Sequence, residues 1–194
     1  MTSEATTVVR PVLADLVPGE RVRDALLVVG VALLTAAAAQ FEVHLGFTPV
    51  PISGQTFAVL LGAAALGPVR GSLAQVLYNL LAIAGLPFYS GGASGWEYFA
   101  GATGGYLVGF VLAGAVVGAL ARRGLDRRPA TTTVAFIVGS LIIYACGVPW
   151  LAAVTGMNAG AALANGALPF LLGDALKALL AAGLLPAAWR FVGR

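Results

Sequence analysis

Asp174 and Lys177 offer the most consequential chemistry in the sequence, because they lie in LPFLLGDALKALLAAGLLPAAWR (Leu168 to Arg190), an otherwise apolar stretch long enough to cross a bilayer. At positions i and i+3 the two opposite charges share one helix face. A lone charge at bilayer mid-depth costs roughly 3 kcal/mol or more, so ionisable residues there normally face a cavity or a partner and mark a functional site. The pair admits two readings: a ligand site presenting a carboxylate beside an ammonium, or a neutralised tie that only holds helices together. The tie is the less economical, since uncharged groups would hold helices at lower desolvation cost.

Other familiar chemistries lack their residues. Lys177 is the only lysine and is flanked by Leu176 and Ala178, so no GK[ST] phosphate loop exists and the chain cannot power transport with a P-loop of its own. One histidine, His44, and one cysteine, Cys146, exclude the usual zinc sets and any intrachain disulfide. Nothing fixes a nucleophile next to His44, and no G-x-G-x-x-G fingerprint follows a strand pattern, so neither an enzyme nor a bound cofactor is expected.

The elements that position the pair follow from composition. The chain has 194 residues, of which 59% are hydrophobic and 10% charged, against about 25% charged in soluble proteins. Backbone polar groups in lipid must be satisfied internally, so an all-α polytopic membrane protein is expected, built from helices of about 20 apolar residues. Six segments qualify: Ala25 to Val43, Pro51 to Leu66, Gly71 to Leu86, Thr103 to Ala121, Ala130 to Val154 and Leu168 to Trp189. They form one membrane domain, 25–194, preceded by a polar segment, 1–24. The net charge of +3 does not point to nucleic acid, because the basic residues sit between hydrophobic spans rather than on one basic face.

All ten arginines fall before span one, between spans two and three, between four and five, or after six, while the three alternate loops hold neither Lys nor Arg. The positive-inside rule then places both termini in the cytoplasm of a multi-pass cell-membrane protein. Polar residues within the spans gather toward the opposite, outer side: Gln40, Ser53, Gln55, Thr56, Asn79, Thr103, Tyr106, Asp174 and Lys177. Such a pattern predicts a pocket open outward and sealed inward, whereas a water-filled channel needs polar lining along its whole length. Gln55, Tyr106, Thr103 and Asn79 are candidate ligand contacts beside Asp174 and Lys177, with Ser94 from the outer loop. That loop, PFYSGGASGWEYFAG (Pro87 to Gly101), reads either as a lid over the pocket or as a connector with interfacial aromatic anchors. Ala32 and Ala36 make a smooth stripe on span one that could receive another protein's helix.

Three blocks are familiar: TPVPISGQTFAVLLGAAALGPVRGSLAQVLYNLLAIAGLPFYSGG (Thr48 to Gly92), GATGGYLVGF (Gly101 to Phe110) and LPFLLGDALKALLAA (Leu168 to Ala182). In their order and length they closely resemble the BioY family, the biotin-specific substrate-binding (S) components of energy-coupling factor transporters. The resemblance runs from about Ala25 to Trp189. It implies a six-helix S-component bundle that captures biotin from outside and works with a transmembrane coupling (T) protein and two cytoplasmic ATPases. By position, the family's GDxxK motif matches Asp174 and Lys177, its PVPIxxQT segment matches Pro49 to Thr56 with Gln55 in place, and the alanine-rich face of its first helix matches the Ala32 and Ala36 region. Ala102 stands where the family's GPTGGY pattern has proline, and Asn79 where an apolar residue is commoner. Biotin presents two ureido N–H donors, a strong ureido acceptor, a thioether ring and a carboxylate. Asp174 can accept from a ureido N–H, while Lys177 can donate to the ureido oxygen or to the carboxylate. The alternative function is a stand-alone secondary carrier or facilitator for biotin or a related vitamin.

The charge asymmetry generates a direct test of topology. With Cys146 replaced, a cysteine at Ser94 is expected to react with a membrane-impermeant thiol reagent in intact cells; labelling only after the cells are opened would overturn the orientation.

Overall fold

The computed structural model describes residues 10–19 and 21–193; residues 1–9 and Glu20 of the polar N-terminal segment, and Arg194, lie outside the described residues. Eight helices account for most of the chain: α1 (Arg21–Ala39), α2 (Gln55–Leu66), α3 (Pro68–Ile83), α4 (Gly95–Ala100), α5 (Gly104–Arg122), α6 (Pro129–Thr155), α7 (Ala159–Gly166) and α8 (Leu171–Phe191). Six of them occupy the six apolar segments, and α4 and α7 are short helices in two of the arginine-free loops. A two-residue hairpin, β1 (Glu42–Val43) against β2 (Ile52–Ser53), fills the third such loop.

Spans one and two are shorter than the apolar pattern suggests. Helix α1 stops at Ala39, and α2 begins only at Gln55. The intervening Pro49 and Pro51 disfavour helical conformation in the residues before them, so Val50 to Gly54 extend into the hairpin instead. The 12 residues of α2 span about 18 Å, too little for a hydrocarbon core of about 30 Å. Its neighbours compensate by enclosing it: Ala58, Val59, Leu60, Gly62, Ala63 and Ala64 are all buried. A single residue, Gly67 at φ +84°, turns α2 into α3, and Pro68 starts the new helix where its missing N–H costs nothing.

Helix α5 is the packing centre. A Cβ on Gly109 would come within 2.9 Å of the Ile143 backbone of α6, and one on Gly118 within 2.4 Å of the Gly67–Pro68 turn, so glycine alone permits both approaches.

The Ala32 and Ala36 stripe is corrected by the structure. Both are buried in the bundle, Ala32 fully, on the same face as Val31 and Thr35. Gly62 of α2 packs against Val31, and Gln75 of α3 donates to Thr35 Oγ1 at 3.3 Å. The small side chains serve close internal packing of α1 on α2 and α3. The outward face of α1 carries Leu26, Gly30, Leu33 and Ala37.

At the arginine-rich end, the chain before α1 is tied beneath the bundle. Val12 is fully buried, the Arg10 N–H donates to Arg122 O at 2.8 Å, and Arg127 donates to Pro11 O. The Asp15 carboxylate accepts from Arg70 of α3 and from Arg122 of α5, the latter at 2.6 Å. Burial works against ionisation of Asp15, but Arg70 and Arg122 outweigh it and hold the carboxyl below its usual value. Nearby, Trp189 near the end of α8 donates to Asp126 at 2.6 Å, and the Arg127 guanidinium lies 4.1 Å from the Trp189 ring centroid. Burial pushes the Asp126 carboxyl up. These contacts lock the helix ends opposite the cavity described next.

Candidate ligand-binding site

Helix α8 places Asp174 in its first turn, where the exposed N–H groups of the helix start favour a negative charge. Lys177 follows three residues on, and its Nζ lies 3.2 Å from Asp174 Oδ1. The pair is not isolated. Thr56 in the first turn of α2 accepts from Lys177 Nζ at 2.6 Å and donates to Asp174 Oδ1 at 3.4 Å, while the Tyr144 hydroxyl of α6 donates to Asp174 Oδ2. Three helices therefore meet on one carboxylate. Asp174 is 11% exposed and Lys177 18%, so both are largely dehydrated yet reachable from the cavity.

That cavity leaves about 550 Å³ of non-atom space between side chains, within the ~300–1,000 Å³ typical of small-molecule sites. Its polar wall is Ser53, Gln55, Thr56, Ser90, Thr103, Asp174 and Lys177; its apolar wall includes Val50, Leu107, Phe110, Ile143 and Phe170, with the rings of Tyr98, Tyr106 and Tyr144 between. Gln55 is aimed by its neighbours: its Nε2 donates to the Tyr78 hydroxyl, which donates on to Phe88 O at 3.1 Å, and its Oε1 accepts from Ser53 at 2.9 Å and Ser90 at 3.4 Å. The Tyr106 hydroxyl donates to Gly166 O at 2.8 Å, which orients its ring along the wall.

Of the residues singled out in the sequence, Asp174, Lys177, Gln55, Tyr106 and Thr103 are brought together around this space. Asn79 is not among them. It is buried, and its amide donates to Gln75 O at 3.0 Å and Leu107 O at 3.3 Å, tying α3 to α5. Ser94 is exposed at the start of α4, and Ser90, four residues earlier, lines the cavity instead. Tyr144 escaped the sequence reading, although a lone tyrosine in the aliphatic run SLIIYACG was a usable signal.

The mouth is covered from three loops. The hairpin segment contributes Val50, Pro51 and Ser53, and the loop before α5 contributes Ser90 and Tyr98. Thr48 donates to Asn165 O of α7 at 2.8 Å, joining the hairpin to the third loop. Tyr98 stacks on Tyr89 with ring centroids 4.7 Å apart, and Gln40 donates to Tyr89 O at 3.2 Å. The loop from Pro87 to Gly101 is thus a packed cover, with turns at Gly91 and Gly92 in the left-handed region.

A comparison with known proteins matches this arrangement to a family. The model of the BioY family aligns with residues 5–194. The chain belongs to the BioY family. A biotin transporter BioY of Rhizobium etli is 36% identical over 158 residues, covering 78% of this chain and 84% of that protein. A probable biotin transporter BioY of Pyrococcus horikoshii is 35% identical over 161 residues, covering 83% and 93%. Among solved structures, the S-component for biotin from an ECF-type ABC transporter superposes with a TM-score of 0.78 at 22% identity, covering 89% of this chain and 92% of that one, which shows a shared fold. Membership of this BioY family, together with four apolar helices of membrane-spanning length among the described residues, makes the protein an integral membrane protein.

Because Asp174 and Lys177 sit at the edge of an opening cavity, each single substitution is expected to leave a folded protein. Asp174→Asn and Lys177→Met should each weaken ligand binding by about 1.5 to 3 kcal/mol, roughly 10- to 150-fold. If the pair were only a tie, removing one member would strand the other at a cost of about 3 to 5 kcal/mol to the fold. Thermal unfolding without ligand, beside affinity, for both singles and the double mutant separates these outcomes; unstable singles rescued in the double mutant would contradict the site.

Proposed function

We propose that this BioY-family protein captures biotin from the outside of the cell membrane as the substrate-specific subunit of an energy-coupling factor importer. The observation that carries this reading is the composition of the cavity: one carboxylate and one ammonium in contact, amide and hydroxyl groups opposite, and an apolar aromatic wall between. A bicyclic ureido-thioether with a short acid tail needs those three surfaces. The Asp174 carboxylate or Gln55 Oε1 accepts from ureido N–H groups, Lys177 or a hydroxyl donates to an oxygen, and the rings of Tyr98, Phe110 and Phe170 cover the thioether ring. A few charged hydrogen bonds of about 1.5 to 3 kcal/mol each, with ring burial, are enough for nanomolar affinity, which takes about 12 kcal/mol.

The role is binding and delivery rather than catalysis. The cavity opens at the arginine-free end, so the positive-inside rule puts its mouth outside and both termini in the cytoplasm. No phosphate loop is present in the sequence, so energy must come from other chains. The reading therefore includes a transmembrane coupling protein and two cytoplasmic ATPases as partners, with the outward α1 face around Gly30 and Ala37 available for close helix approach.

Reconstitution in liposomes tests this assignment. The purified protein alone is expected to bind biotin without accumulating it, and ATP-dependent accumulation is expected only with the coupling protein and ATPases present. Concentrative uptake by the protein alone would establish the stand-alone carrier instead.

A further inference from the structure

A second depression runs between α6 and α8 on the membrane-facing side, and its wall includes Tyr144 and Asp174, the same two residues that line the ligand cavity. From Tyr144 it extends past Leu141, Ser140 and Ile137 to Thr133, 11 residues or about 16 Å along α6. Leu141, Ile137 and Leu179 on its banks are at least half exposed, so the groove opens sideways toward hydrocarbon. Cavity and groove are separated at this point by two side chains joined through the Tyr144–Asp174 hydrogen bond, not by backbone. Side chains change rotamer where a backbone wall would not yield.

The chemistry at the junction favours one kind of group. Lys177 Nζ and Asp174 Oδ1, 3.2 Å apart, offer one donor and one acceptor side by side. A free carboxylate placed on Lys177 also meets the like charge of Asp174. A secondary amide there does not: its C=O accepts from Lys177 while its N–H donates to Asp174, and its N-substituent points on toward the groove. Resting on the biotin reading of the cavity, we propose that the substrate class of this site includes N-alkyl amides of biotin, with the alkyl chain lying in the groove between α6 and α8.

The test uses the full-length protein in nanodiscs, with N-octyl biotinamide competing against biotin. The wild-type protein is expected to bind the amide within about tenfold of biotin, a difference of about 1.4 kcal/mol or less. Ser140→Phe and Ala175→Phe fill the groove from positions outside the ligand cavity. Each is expected to weaken the octyl amide about tenfold or more while changing biotin affinity by less than about threefold. An amide carrying a terminal diazirine should crosslink within 133–144 or 171–179 of the wild-type protein, so the proposal stays testable if a groove variant does not fold. If biotin binds and the amide does not, the groove belongs to membrane acyl chains and the inference falls. Amide binding that is indifferent to both substitutions, with crosslinks at the outer loops, would overturn it by showing the tail leaving through the mouth. Failure of biotin itself to bind would instead remove the reading on which the inference rests.

Discussion

The structure turns on keeping one carboxylate and one ammonium paired where water is scarce. Separated, either charge in a membrane interior would cost several kcal/mol, and together they still need their remaining hydrogen-bonding capacity filled. Thr56 fills it from α2, bridging Lys177 and Asp174, and Tyr144 fills it from α6. The same contacts that make the charges tolerable therefore bring α2, α6 and α8 together at the cavity. Short α2 becomes explicable in this light: its first turn must reach Asp174 while its last meets the Gly67 turn near Arg122, and the chain before it is spent on the hairpin that covers the site.

The two ends of the bundle divide the remaining work. At the arginine-rich end Asp15 joins Arg70 and Arg122, and Asp126 holds Trp189, so helix ends are fixed by charged and aromatic contacts. At the other end the covering segments meet largely through single hydrogen bonds and ring stacking, as between Thr48 and Asn165 or Tyr89 and Tyr98. Fewer and more exposed contacts open at lower cost. A rigid base with a separable cover suits a protein that admits a ligand from one side only.

Helix number and the charged pair were legible because both follow from bulk physics: apolar length for the spans, and the expense of intramembrane charge for Asp174 and Lys177. Gln55, Thr103 and Tyr106 were legible as polar groups at the right depth, and the cavity gathers them. Depth alone does not fix azimuth, however. Asn79 has a suitable depth but turns toward Gln75 and Leu107, where its amide ties two helices. Ala32 and Ala36 failed for a related reason, since a small-residue stripe looks the same whether it admits a neighbour in the same chain or in another. Tyr144 was hidden by its surroundings, because hydropathy averages out one hydroxyl in an aliphatic run. The hairpin between α1 and α2 could have been read from Pro49 and Pro51, whose effect on preceding residues outweighs the apolar character of the segment.

The most direct test of the account is a calorimetric titration of the purified protein with biotin, in the absence of any partner protein. The account predicts saturable binding at one site per chain with a dissociation constant in the nanomolar range, about 12 kcal/mol of binding free energy. Binding no tighter than about millimolar, near 4 kcal/mol, by a protein whose unfolding shows it to be intact would contradict it.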